Sequence, residues 1–137
     1  MTQMTGHCLC GGVTFSADME KTDYHACHCS MCRRWAGSPL MAAGAQTVTF
    51  TGDDKIGRYK SSDWAERGFC TNCGTGLFYY LIPADQYVLS IGAFDDAEAF
   101  KMAGEIFIDN KPGGYGFAGD HPRLTEAEFM AKFTDGN

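Results

Sequence analysis

The 137-residue sequence predicts a mainly β, zinc-bearing β-sandwich-like single domain with a few short helices. Short stretches of alternating apolar and polar residues recur along the chain, separated by turn residues, as in sandwich proteins. All seven cysteines fall into three tight clusters, which is typical of metal ligation. A chain of this length suits one domain, so we expect residues 1–137 to form a single unit.

The strand predictions rest on local hydrophobic pattern. Segments in which apolar and polar residues alternate are predicted to be half-buried strands. A continuous apolar and aromatic run at 77–82, ended by Pro83, indicates a central strand. A turn is expected at Gly52, Asp53 and Asp54, between two alternating segments. The predicted strands are 13–17, 48–50, 56–59, 77–82, 87–91 and 106–108.

Helices are expected at only three places. One or two turns should follow Ser30, and a second helix is expected at 97–102. The third, at 125–133, opens with the capping-box pattern Thr125-x-x-Glu128 and carries Phe129 and Phe133 on one face.

The segment 111–119 contains four glycines and a proline and is predicted to be a long irregular loop. Its aromatic residues, Tyr115 and Phe117, could close over a pocket or anchor the loop to the core. The anchoring interpretation is the one we favour.

Charge and composition narrow the classes of partner. The net charge of −6 argues against nucleic acid, which is bound by neutralising phosphates with basic residues. The longest apolar run, 77–82, is too short to cross a membrane. Residues 1–6 show no export signal, and an odd number of cysteines argues against a disulfide framework, so a cytoplasmic location with reduced thiols is expected.

Two cysteine pairs are predicted to form a closed metal site. Cys8 and Cys10 lie on the same side of an extended segment, and the turn Cys70-x-x-Cys73 directs two sulfurs to one point. An ion bound between them would tie together distant parts of the chain, so its binding energy would stabilise the fold.

The remaining cluster, Cys27-x-Cys29-x-x-Cys32, supplies three thiols, with a bend from strand to helix expected at Cys29. Three interpretations stay open. The cluster could hold a zinc ion with an exchangeable fourth ligand, form a closed site with His25 or His28, or act as a redox dithiol of Cys29 and Cys32. The open zinc site is favoured.

Three residues that follow this cluster are candidates for ligand binding. Arg33 and Arg34 could hold the carboxylates of a small anionic molecule, and Trp35 could form one wall of its pocket. Zinc coordinated by three thiolates would accept a small-molecule thiol and lower its pKa, and the resulting thiolate could attack a carbonyl carbon.

Three segments resemble the glutathione-dependent formaldehyde-activating enzyme family, which also includes centromere protein V. They are GHCLCGGV at 6–13, CHCSMCRRWAG at 27–37 and FCTNCGT at 69–75, and the resemblance extends over about residues 6–111. It implies a zinc-bearing β-sandwich that adds glutathione to formaldehyde to give S-hydroxymethylglutathione, a carbon–sulfur lyase activity. By resemblance, the structural zinc ligands are Cys8, Cys10, Cys70 and Cys73, and the catalytic zinc ligands are Cys27, Cys29 and Cys32.

The C-terminal part departs from this family's pattern. Members often carry a histidine before an Ile-Phe pair and a tryptophan soon after the following lysine, whereas this chain has Glu105 before Ile106, with Tyr115 or Phe117 as the nearest aromatic substitutes. Two alternatives therefore stay open: a thiol-dependent lyase acting on a larger substrate, and a non-catalytic zinc-binding module.

Overall fold

The computed structural model describes residues 1–134, and side chains as far as residue 132. Within this part, the chain forms ten β-strands, two α-helices and four short 3₁₀ turns. The strands are β1 (Thr2–His7), β2 (Thr14–Met19), β3 (Asp23–Cys27), β4 (Leu40–Gly44), β5 (Thr47–Thr51), β6 (Ile56–Ser62), β7 (Ala65–Cys70), β8 (Gly76–Leu81), β9 (Gln86–Ser90) and β10 (Lys101–Ile106). The helices are α1 (Ser30–Ala36) and α2 (Glu126–Thr134). No helix of the described chain is long and apolar enough to span a membrane.

The chain divides into two compact units. The first contains residues 1–23 and 42–101, and the second contains residues 24–41 and those from 102 onward. The expectation that residues 1–137 form a single domain therefore stays a prediction.

The first unit contains strands from two antiparallel sheets. Strands β1, β2 and β5 form one sheet in that order, while β9, β8, β7 and β6 follow one another in the second, with the end of β4 beside β9. Phe50 of β5 joins the two layers, since its ring lies 5.4 Å from the rings of both Phe78 and Tyr87. Leu77, Phe78 and Leu89 are fully buried, so the apolar run in β8 lies at the centre of this core.

The second unit contains β10 and β3 side by side, both helices and the 111–119 segment. Helix α1 begins after Cys29, whose sulfur accepts a hydrogen bond from the Cys32 N–H, and ends at Gly37 in a left-handed conformation. Helix α2 begins with the predicted capping box: the Thr125 N–H donates to Glu128 Oε1 at 2.9 Å, and the Glu128 N–H donates to Thr125 Oγ1 at 3.1 Å. The Phe133 side chain lies outside the described residues.

The predicted fold class is confirmed: the protein is mainly β, has two sheets, and contains cysteine clusters that can hold zinc. Five of the six predicted strands are present within a few residues of their expected bounds, but the strand at 106–108 is wrong. Strand β10 ends at Ile106, because the backbone of Phe107 turns left-handed (φ 56°) into a 3₁₀ turn at Ile108–Asn110. The helix at 97–102 is also wrong, because a single 3₁₀ turn at Ala97–Ala99 leads directly into β10.

Two candidate metal centres

Four cysteine sulfurs of the first unit converge on one point. The sulfurs of Cys8, Cys10, Cys70 and Cys73 all lie within 4.8 Å of one another. The Cys8–Cys10 and Cys10–Cys70 sulfurs are 3.6 and 3.8 Å apart. Ligands about 2.3 Å from a tetrahedral zinc ion lie about 3.8 Å from each other, so the sulfur spacing fits this ion.

Backbone amides donate hydrogen bonds to three of these sulfurs. The Val13 N–H donates to the Cys8 sulfur, the Gly12 N–H to the Cys10 sulfur and the Cys73 N–H to the Cys70 sulfur, at 3.3 to 3.5 Å. Glycines at 11 and 74 follow the two pairs with positive φ angles of 77° and 81°, which allows each turn to fold back on its sulfurs.

The pKa values of two of these thiols are lowered by hydrogen bonds. Contacts with the side chain and backbone of Thr75 lower the pKa of Cys73 to about 5. A side-chain hydrogen bond with Asn72, followed by the Gly12 amide, lowers the pKa of Cys10. Because metals bind the thiolate form, these residues are suited to hold a cation.

The other three cysteines converge in the second unit. Cys27 ends β3, Cys29 caps α1 and Cys32 lies in the first turn of that helix, and their sulfurs lie within 4.8 Å of one another. Cys27 and Cys32 are buried, while Cys29 is partly exposed. The predicted bend at Cys29 is confirmed, because its backbone is extended and the helix begins at the next residue.

The three sulfurs lie close enough together to share one bound ion. Hydrogen bonds to Cys29 and Cys32, followed by burial, raise the pKa of Cys27 far above the ordinary value of a thiol. Three thiolates cannot lie this close without a compensating positive charge, which a metal ion supplies. The donor set of three soft sulfurs suits zinc.

Neither histidine near this cluster joins it. Within the described residues, the group of ligand atoms contains the three sulfurs and no histidine or carboxylate. Both ring nitrogens of His28 bond elsewhere: Nε2 lies 2.7 Å from Glu105 Oε1, and Nδ1 lies 2.8 Å from the Tyr115 hydroxyl. The geometry therefore opposes the alternative in which His25 or His28 closes the site.

The three candidate ligand-binding residues lie on α1. Arg33 is partly buried and its Nε donates to the His28 carbonyl at 2.9 Å, which fixes the base of its guanidinium beside the cysteine cluster. Arg34 is exposed and Trp35 is partly exposed. Their assignment to substrate binding stays a prediction.

Glu105 is a buried carboxylate bonded to His28, which lies between Cys27 and Cys29. In the sequence it stands out only as a departure from the family's pattern. Glu105 is 1% exposed, accepts hydrogen bonds from His28 Nε2 (2.7 Å) and His121 Nε2 (2.6 Å), and forms an ion pair with Arg123, whose Nε lies 2.9 Å from Oε2. Burial opposes its ionisation, but the bonds from His121 and His28 and the charge of Arg123 outweigh that effect and lower the pKa of Glu105. Nothing in the local sequence signals this group, because its partners are distant in the chain.

The fold and the two clusters define a mainly β protein with one four-thiol and one three-thiol candidate metal centre. The family model of the glutathione-dependent formaldehyde-activating enzyme matches residues 3–110, which include all seven cysteines. The chain therefore belongs to this family, and the resemblance read from its cysteine motifs is confirmed.

One further comparison agrees with this assignment, and another shows a solved structure of the same fold. A Schizosaccharomyces pombe protein named as an uncharacterized lyase is 35% identical over 132 residues, a match that covers 95% of this chain and 96% of the yeast protein. The crystal structure of a Rhodobacter sphaeroides protein superposes with a TM-score of 0.59 at 21% identity, covering 88% of this chain and 99% of that one. At that identity, the second comparison shows the shared fold alone.

Proposed function

We propose that this protein adds a small thiol, in the first instance glutathione, to a small aldehyde such as formaldehyde. In that reaction a carbon–sulfur bond forms between the thiol and the carbonyl carbon, and the thiol proton passes to the carbonyl oxygen. Family membership and the lyase name of the yeast relative support an enzyme of the lyase class. The observation that carries the proposal is the three-thiol cluster, to which no fourth ligand from the described residues contributes.

The two centres differ in the number of protein ligands, and we assign them different roles. Four thiols complete a tetrahedral site, so Cys8, Cys10, Cys70 and Cys73 would hold a structural zinc ion. Three thiols leave one coordination position for an exogenous ligand, so Cys27, Cys29 and Cys32 would hold a catalytic zinc ion. When bound there, zinc lowers the pKa of an entering thiol and makes the thiolate available near neutral pH.

Residues of α1 would bind and orient the thiol. The guanidinium of Arg33, held at its base by the His28 carbonyl, and that of Arg34 are suited to the two carboxylates of glutathione. Trp35 follows them on the same helix, only partly exposed, and would contact the apolar part of the bound molecule. The partly exposed Cys29 marks the side of the cluster that solvent and substrate can reach.

Substitution of Cys29 tests the assignment. Cys29→Ser should abolish thiol addition and remove about one of two zinc ions per chain while the protein remains folded, because the four-thiol site is untouched. Cys10→Ser is the matched control: it should release the other ion and lower the thermal midpoint. Elemental analysis, circular dichroism and an assay of S-hydroxymethylglutathione formation provide the measurements, and full activity in Cys29→Ser would disprove the catalytic assignment.

A second candidate, a thiol-dependent lyase acting on a larger substrate, has one observation in its favour. Glu105 occupies the position at which family members often carry a histidine, and it binds His121 and His28, the residue between Cys27 and Cys29. A changed set of side chains at this place would suit a different carbonyl compound. Assays with a series of aldehydes of increasing size distinguish the two candidates.

A further inference from the structure

The carboxylate of Glu105 is the meeting point of two chains of polar contacts that both end on the glycine-rich loop 111–119. Glu105 is buried, and both of its carboxylate oxygens are engaged. A buried charge with this many partners holds those partners in one arrangement, because breaking any bond would leave a group without compensation.

The first chain leads through His28 to Tyr115. Glu105 Oε1 accepts from His28 Nε2 at 2.7 Å, and the opposite nitrogen of the same ring lies 2.8 Å from the Tyr115 hydroxyl. The His28 ring also packs against the Tyr115 ring at 5.5 Å and the Phe117 ring at 6.0 Å. A completely buried imidazole bonded at both nitrogens has one orientation, so the position of Glu105 determines that of the Tyr115 hydroxyl.

The second chain leads through Arg123. This guanidinium forms an ion pair with Glu105, with Nε 2.9 Å from Oε2, and one terminal nitrogen donates to the carbonyls of Phe117 and Gly119, each at 3.0 Å. The loop is therefore attached to the same carboxylate in its middle and at its end. Glycines supply much of the loop and would otherwise leave it with many conformations.

The loop is attached to the chain segment that carries the three-thiol cluster. His28 lies between Cys27 and Cys29 in the chain, so the Tyr115 hydroxyl is bonded to the residue that separates two of the sulfurs. Arg33, a candidate for thiol binding, and Cys27, a candidate metal ligand, both act electrostatically on the Tyr115 hydroxyl.

We propose that Glu105 is a positioning residue that holds Tyr115, through His28, at the three-thiol cluster, where Tyr115 contacts the bound thiol. The inference rests on the proposed function for the identity of that ligand. Glu105 itself touches no substrate; its effect is transmitted through the His28 ring and the Arg123 guanidinium.

The test combines loop opening with thiol binding in four variants of the zinc-loaded protein. Chymotrypsin cleaves after aromatic residues, so the rate of native-state cleavage after residues 115 and 117 reports opening of the loop. Glu105→Gln should accelerate both cleavages about tenfold, and Tyr115→Phe, which keeps a cleavable ring, should accelerate the first about threefold, as expected for loss of one or two hydrogen bonds. Asp95→Asn is the matched control, since it removes another histidine-bound carboxylate (2.7 Å from His7 Nδ1), and should cleave at the wild-type rate.

The double variant separates a positioning role from general destabilisation. If Glu105 acts on Tyr115 through His28, Glu105→Gln with Tyr115→Phe is cleaved after residue 115 no faster than Glu105→Gln alone. Titration of cobalt-substituted protein with glutathione should show the same pattern, with affinity about tenfold weaker in Glu105→Gln and no further loss in the double variant.

Several outcomes would overturn the inference. Wild-type cleavage rates in Glu105→Gln, or effects that simply add in the double variant, show that Glu105 does not hold Tyr115. If Glu105→Gln fails to fold, Tyr115→Phe decides alone: unchanged cleavage after residue 115 contradicts the inference and faster cleavage supports it. If glutathione does not change the spectrum of the cobalt-substituted wild type, the proposed thiol chemistry is disproved instead. The cleavage rates then still test whether Glu105 holds Tyr115.

Discussion

Single residues around the three-thiol cluster show which roles can be read from sequence. The spacing of the seven cysteines alone groups them into candidate ligand sets, and the structure brings the expected sets together. His28 was a candidate ligand because it lies between Cys27 and Cys29, yet its ring contacts Glu105 and Tyr115 instead. Those contacts span 77 and 87 residues of chain, and no local pattern encodes such a pairing.

The arginine pair leads to a prediction about substrate affinity. If Arg33 and Arg34 bind carboxylates of the thiol, Arg33→Gln and Arg34→Gln should each raise the KM for glutathione about tenfold with little change in kcat, as for loss of a charged hydrogen bond. Arg58→Gln is a suitable control, because that guanidinium lies over the ring of Phe78 in the first unit. The KM for 2-mercaptoethanol, which has no carboxylate, should not change in any of the three variants. Equal effects on both thiols would contradict the assignment.

The ionisation of Glu105 leads to a prediction about pH. Its folded-state pKa is lowered, mainly by hydrogen bonds from His121 and His28 against the opposing effect of burial. A lowered carboxyl pKa contributes stability above the unfolded value of about 4.3, and that stability is lost as the pH falls through the folded value. The difference in free energy of unfolding between wild type and Glu105→Gln should therefore shrink as the pH falls below about pH 4. Urea unfolding measures it, and a difference that stays unchanged between pH 5 and pH 3 would contradict this account.

At the scale of secondary-structure elements, the hydrophobic pattern of the sequence predicted some strands and missed others, for physical reasons. Strand β8 was predictable because it is a continuous apolar run, whereas β7 (AERGFC) contains charged residues and a glycine that favour no strand by themselves. Strand β7 forms because it pairs with β6 on one side and β8 on the other, so its neighbours determine its conformation. Strands β1, β3 and β4 were missed as well, since each is short and mixed in composition.

The glycine in β7 allows a test of that packing. Gly68 lies directly opposite Phe78 in the β7–β8 pair, and a Cβ atom added to it would lie 2.1 Å from the Phe78 ring. Gly68→Ala should therefore lower the free energy of unfolding by about 1–3 kcal/mol, as overpacking of a filled core does. Gly92→Ala is the matched control, because its added Cβ would meet nothing within 4 Å. Chemical denaturation of both variants is the measurement, and equal stabilities would show that β8 can move to accommodate the methyl group.

At the scale of the whole molecule, sequence was sufficient for the fold class and the family, since both depend on periodicity and on the cysteine motifs. The network around Glu105 required the structure. Each candidate metal centre is built entirely within one of the two compact units, so substitutions at one centre can be interpreted separately from the other. This separation is what allows the two proposed roles, structural and catalytic, to be tested in one chain.

The central claim is that a metal ion held by Cys27, Cys29 and Cys32 keeps a coordination position for a thiol. The most direct measurement is the visible absorption of the cobalt-substituted protein titrated with glutathione, with Cys29→Ser as the control. The account predicts a saturable change in the ligand-field bands of the wild type that is absent in Cys29→Ser, whose four-thiol site remains loaded. A wild-type spectrum that does not change at any glutathione concentration would contradict the claim and favour a closed, non-catalytic zinc module.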